Sequence, residues 1–378
     1  MVGHLAALDK EYEIVVSANC DVASLAGALP GSTRFRPNRV GPGFSPLTDI
    51  REILRLARWM RVERFDVVHT VSPTAGLIGM VAARAAGVPI RIHMFTGQAW
   101  ATETGVTRRR LRRFDRLLAR CTTVALADSQ SQLDFLVTER VLRPGQGSVP
   151  GRGSIAGVDR ARFHPDAGAR TEIRTELGLS DDDLIVLFVG RLTRDKGIID
   201  LVEAFARSAS RLPRLHLVVV GPDDAGYAGR LRTLAGTHVG ALHLVGQSDR
   251  PERYLAAADV FCLPSYREGF GVSVIEAAAC GLPAIVSRIY GLTDAVVADR
   301  TGLFHGPGDT VELAARISEL AGDAPLRRRL GAAAEQWVHD HFSSEDVTAA
   351  LVEVYHRALA TSTPARRPRA VSRRFRRP

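Results

Sequence analysis

Two carboxylates eight residues apart, Glu268 and Glu276, stand where their chemistry can be used. The segment Pro264-Ser265-Tyr266-Arg267-Glu268-Gly269-Phe270-Gly271 follows an apolar run, 259–263, that reads as a buried strand. After it, residues 272–280 have helical spacing, stopped by Gly281 and Pro283. Glu268 therefore falls in a glycine-flanked turn at a strand's carboxyl end. Glu276 lies about two turns into the following helix, roughly 10 Å further on. Backbone amides at the helix start can hold a diphosphate, and the carboxylates can accept hydrogen bonds from sugar and ribose hydroxyls. The pattern is that of a nucleotide-sugar site.

A cation completes it. Basic residues are nearly all arginine; only Lys10 and Lys196 are lysine. Lys196 falls in Gly190-Arg191-Leu192-Thr193-Arg194-Asp195-Lys196-Gly197, directly after an apolar run at 184–189. A compact ammonium at a helix start is unfavourable unless an anion binds beside it.

Glu268, seven residues and Glu276, with Pro-Ser before and Gly-Leu-Pro after, resemble the signature of family-4 glycosyltransferases. The resemblance implies an α/β fold of two Rossmann-like doubly wound domains facing a cleft (GT-B). It also implies a retaining, metal-independent transfer that uses no cofactor. Gly190, Arg191, Lys196, Glu268, Gly269, Phe270, Gly271 and Glu276 would bind the donor, with Arg191, Lys196 and Glu268 catalytic. Arg191 and Lys196 would offset charge on a UDP-type leaving group; Glu268 would position the sugar and Glu276 the ribose. Asp66-Val67-Val68-His69-Thr70, Ile90 to Gln98, Gly153 to Asp159 and Ser287 to Gly291 look like bacterial envelope and capsule transferases. Many of these use a glycan or polyprenyl-diphosphate-linked sugar as acceptor. Relatives carry a histidine where this chain has Thr96. Thr96, Gly97, His93 and His69, at or near strand ends, are the acceptor-side candidates.

Short apolar runs alternate with helical segments through both halves, which indicates parallel sheets with ligands at the strands' carboxyl ends. The expected division is an acceptor-binding domain over 1–165, a donor-binding domain over 166–343, a helix crossing back over 344–363 and a basic disordered tail over 364–378, with a glycine-rich linker at 145–166. Residues 2–10 read as the tail of a first helix, so the first strand of the fold is missing. A start placed too late explains this better than the loss of a central strand, and a chain so shortened would be unstable or inactive.

Of the net charge of +9, seven arginines at 366–378 supply most, leaving about +2 for the rest. That distribution disfavours a nucleic-acid binder, whose basic excess belongs on the folded body. Helix 107–120 carries Arg108, Arg109, Arg110, Arg112 and Arg113 and, with the tail, offers a contact to an anionic membrane surface. No apolar run is long enough to span a bilayer, and the scattered cysteines suit buried thiols in a reducing cytosol, so the expected location is cytoplasmic, or peripheral on the plasma membrane's inner face. Asp181-Asp182-Asp183 precedes a strand in a polar connection and reads as solvated rather than metal-binding. A nicotinamide dehydrogenase would need Gly-x-Gly-x-x-Gly after a strand, and Gly190 is followed by Arg191 and Leu192 instead. A GT-B-shaped nucleotide-sugar epimerase and a non-catalytic basic binding protein remain as alternatives.

Overall fold

The computed structural model describes residues 2–20, 29–41, 43 and 45–362; the expected basic tail lies outside them. In the N-terminal half, helix α1 (Val2–Leu8) precedes strands β1 (Val15–Ala18) and β2 (Arg34–Pro37). Then follow α2 (Pro46–Glu63), β3 (Val67–Thr70), α3 (Pro73–Ala86), β4 (Ile90–Phe95), α4 (Gly105–Cys121), β5 (Val124–Ala127), α5 (Gln130–Thr138) and β6 (Gly147–Ser148). The strands pair in parallel, but in two pieces: β1 with β2, and β3-β4-β5-β6. Among the described residues nothing pairs with the second edge of β1 or of β3. Tyr12, just before β1, and His69, on β3, lie against the same Tyr355 ring at 5.7 and 5.8 Å.

The C-terminal half winds one six-stranded parallel sheet in the order β12-β11-β10-β7-β8-β9. After α6 (Ala167–Glu176) its strands are β7 (Leu184–Val189), β8 (Leu215–Val220), β9 (Leu242–Gly246), β10 (Val260–Leu263), β11 (Ala284–Ser287) and β12 (Gly302–His305). The intervening helices are α7 (Ile198–Ala209), α8 (Ala228–Ala235), α9 (Pro251–Ala257), α10 (Val272–Ala279) and α11 (Leu292–Ala295); α12 (Thr310–Gly322) and α13 (Ala324–His341) follow the last strand. β7 and β10 are neighbours, with Val260 paired to Val186 and Phe261 to Leu187. Their carboxyl-end turns therefore emerge side by side. Both strands bury their central residues on two faces, as a helix-covered parallel sheet requires.

The last helix, α14 (Ser344–Thr361), places Leu351, Val354 and Ala358 in a cluster with Ile90, Ile92, Met94 and Leu126 of the first half. Two elements escape a periodicity reading. β6 is only two residues long, inside the stretch expected to be linker. α6 is polar and is held by a buried charge: Arg174, 2% exposed, bonds Asp259 at 2.7 Å and three backbone carbonyls.

Candidate donor site

The strongest sequence signal becomes one contact. Lys196 Nζ donates to Glu268 Oε1 at 2.5 Å, and Ser265 Oγ donates to the same oxygen at 2.8 Å. Lys196 ends a single turn of 3₁₀ helix after β7, while Glu268 lies in the turn after β10. Strand adjacency brings together two residues 72 apart in sequence. The same turns are stitched elsewhere: Arg267 donates twice to Asp195, the Tyr266 amide donates to the Asp195 carbonyl, and the Tyr266 hydroxyl donates to Asp200 at 2.6 Å. Gly197 makes the approach possible. Its φ is +69°, and a Cβ there would lie 2.0 Å from the Pro264 carbonyl oxygen.

Glu276 lies on the second turn of α10, as the spacing predicts. Burial, only partly offset by the Arg162 guanidinium and reinforced by Glu252, pushes its carboxyl up to about 7. Among the described residues it has no hydrogen-bonding partner in the protein. Arg191 is exposed and has no ion-pair partner among the described residues, and Gly190 is pinned by a hydrogen bond from its amide to the Val220 carbonyl. Gly269 and Gly271 flank the turn into α10, whereas the Phe270 side chain is an anchor, 2% exposed and packed on Phe342 at 5.1 Å. The fold thus joins Lys196 to Glu268 directly and places Arg191 just after β7 and Glu276 on the helix after the β10 turn, with no hydrogen bond or ion pair between these two among the described residues.

The acceptor-side candidates divide. Gly97 touches the donor turn: a Cβ on it would sit 3.0 Å from the carbonyl carbon of Glu268 and the nitrogen of Gly269. Thr96, beside it, accepts from the Gln98 side-chain amide through its carbonyl. His93 does not face the cleft. It is 1% exposed, bonds Thr70 Oγ1 at 2.7 Å, packs against Gly76 and is driven down to about 3 by burial, so it is a neutral core residue. His69 bonds the Tyr355 hydroxyl at 2.9 Å, its other ring nitrogen is buried without a partner, and burial lowers it to about 4. The arginine helix is also corrected. Arg108 and Arg112 clamp Glu139 at 2.6 and 2.5 Å, leaving Arg109, Arg110 and Arg113 on the outer face.

The seam between the halves is built by residues the sequence reading passed over. Asp294 of α11 accepts the Gln130 and Ser131 amides and the Ser131 hydroxyl, so one half caps α5 of the other. Ser129 caps α5, accepting from the Gln132 amide, and also donates to the Gly269 carbonyl at 2.8 Å. Tyr290 accepts from the Gln98 amide and stacks on Phe135 at 4.4 Å. Asp128, 4% exposed, lies against Gly269 with one carboxyl oxygen unpartnered; burial pushes it up to about 7, Glu268 adding to the effect. The signal available for these was only position: each follows a strand on the side where the other half must close.

Comparison with known proteins agrees with this geometry. Residues 169–337 match the family model "Glycosyl transferases group 1", and residues 1–149 match "Glycosyl transferase 4-like domain". The chain is 29% identical to the capsular polysaccharide biosynthesis glycosyltransferase CapM of Staphylococcus aureus, over 83% of each chain. It is 27% identical to the Escherichia coli UDP-Gal:alpha-D-GlcNAc-diphosphoundecaprenol alpha-1,3-galactosyltransferase, over 75% of each. It is 32% identical to a D-inositol 3-phosphate glycosyltransferase of Acidothermus cellulolyticus, over 82% of this chain and 71% of that one. Among solved structures, Anabaena HepE in complex with UDP-glucose superposes with a TM-score of 0.79 at 19% identity, over 94% of each chain.

Proposed function

We propose that this chain, which belongs to the glycosyl transferases group 1, moves a sugar from a UDP-sugar to a glycan or polyprenyl-diphosphate-linked acceptor in envelope polysaccharide synthesis. The observation that carries this reading is the Lys196–Glu268 contact across the β7 and β10 turns, with Glu276 half-buried and without a hydrogen-bonding partner among the described residues on the helix that follows. A carboxylate already held by an ammonium and a hydroxyl keeps its second oxygen in a fixed direction for a sugar hydroxyl. Glu276 takes the ribose hydroxyls. Arg191 and Lys196 oppose the negative charge that grows on the departing diphosphate, and the amides at the start of α10 supply further donors. The acceptor oxygen bonds to the anomeric carbon on the face from which the phosphate oxygen leaves. Its proton passes to that leaving oxygen, so configuration is retained and no separate base is required.

HepE was solved with UDP-glucose, and the E. coli relative is named for a diphosphoundecaprenol acceptor; both favour this donor and acceptor class. Among the described residues no helix is long and apolar enough to cross a membrane. Contact with an anionic membrane surface would use the outer face of α4, where Val106, Arg109, Arg110, Arg113, Leu117 and Arg120 are exposed, rather than Arg108 and Arg112. The test is thermal stabilisation by UDP-sugars and UDP release with a polyprenyl-diphosphate sugar. Stabilisation should disappear in Glu276→Ala, and stabilisation that survives this substitution refutes the site.

A further inference from the structure

A second hollow of 570 Å³ opens at the same seam, and none of the donor-site residues lines it. Arg152, on the segment joining the halves, and Arg288, just after β11, both line it. Each guanidinium lies over an aromatic ring, Arg152 over Trp337 at 5.5 Å and Arg288 over Phe304 at 4.7 Å. Neither has a carboxylate partner among the described residues. The acid in the lining, Asp294, already accepts two amides and a hydroxyl from α5. The hollow therefore presents two stacked, unpaired planar donors beside apolar walls from Val296 and Phe342. A cation would meet like charge, and an apolar ligand would desolvate the guanidiniums without replacing their water.

We propose that this hollow binds a small organic anion: a sugar-sized body bearing a phosphate or a carboxylate. Guanidinium groups held on rings are oriented for two-pronged contact with either oxyanion, and the volume suits a small ligand rather than a bare ion. The site is separate from the donor site and does not depend on the transfer reaction.

The test is calorimetric titration and thermal shift with glucose 6-phosphate, glucuronate, inorganic phosphate and glucose. Saturable binding by the phosphate or carboxylate sugar, with glucose silent, supports the site, and the stronger of the two arms identifies the anion. Loss of two charge-assisted contacts in the Arg152→Gln/Arg288→Gln variant should weaken binding ~100-fold. That variant should keep its UDP shift, which shows that it is folded. Glu276→Ala should show the converse, keeping the anion and losing UDP. Absence of saturable binding by either sugar anion overturns the proposal, as does undiminished affinity in the double variant.

Discussion

Replacing Asp128 with Asn should make the protein more stable, and by an amount that grows with pH. The carboxyl is buried against Gly269, has an oxygen without a partner, and is pushed from 3.8 up to about 7 by burial and then by the nearby Glu268. In the unfolded chain it ionises near its ordinary value. Between about pH 4 and 7 the folded state therefore holds a proton that the unfolded state releases, and stability falls as pH rises. A displacement of this size corresponds to about 4 kcal/mol at pH 8. Other groups tilt the whole-protein curve: burial holds His69 and His93 low, which favours the folded state as pH rises from about 4 to 6.5, against the trend of Asp128. Only the difference between wild type and Asp128→Asn isolates the carboxyl. Urea midpoints measured at pH 5 and pH 8 should separate by about a third of that energy at the lower pH and by nearly all of it at the higher one. An equal difference at both values would mean that Asp128 is already ionised in the folded protein, and the reasoning fails.

Gly197→Ala forces a Cβ to within 2.0 Å of the Pro264 carbonyl at positive φ, so it should cost about 3 kcal/mol or more in unfolding and lower UDP affinity with it; stability within error of wild type would show that the turns relax freely. Gly97→Ala meets the Glu268–Gly269 peptide at 3.0 Å without the strain of a positive φ, so it should spare the urea midpoint while lowering kcat, and an unchanged kcat would remove Gly97 from the working cleft. If the ionised form of Glu276 accepts the ribose hydroxyls, uridine binding should weaken ~tenfold per pH unit below about 7. Glu276→Gln should bind weakly and without that slope, and a flat wild-type profile between pH 5 and 8 would reject the assignment.

What the sequence discloses follows from the range over which its signals act. Period and turn residues report burial and chain direction locally, so β7, β10 and the helix after β10 are legible to within a residue. The Lys196–Glu268 pair is legible one step further, because a parallel doubly wound sheet sets the carboxyl ends of its strands along one edge, beside a common crevice. Beyond that the signal fades. Arg108 and Arg112 differ from Arg109, Arg110 and Arg113 only in facing Glu139, 31 and 27 residues on, which no heptad or charge count shows. His93, inside its strand, reads either as a core histidine or as a cleft residue until Gly76 and Thr70 are seen to close around it. Asp294 resembles an ordinary first-turn acid of its own short helix, yet its carboxylate serves the start of another helix in the opposite half.

The donor turn is gripped from three directions, and this has a consequence for how the cleft works. Ser265 holds Glu268 from within the turn, Lys196 holds it from the adjacent strand end while Asp195 there holds Arg267, and Ser129 and Gly97 press on Gly269 from the other half. The first two grips lie within one half and survive any opening. The third does not: separating the halves breaks the Ser129–Gly269 bond, unstacks Tyr290 from Phe135 and frees the amides that Asp294 caps. Opening would also admit water to the Asp128 carboxyl, whose ionisation then resists reclosure. Admission of an acceptor and the hold on the donor carboxylate thus share the Glu268–Gly269 peptide. On the proposed reading, a sugar at Glu268 would keep the Lys196 and Ser265 contacts of its carboxylate through any opening, whereas the Gly97 contact with the Glu268–Gly269 peptide would be made only with the halves closed.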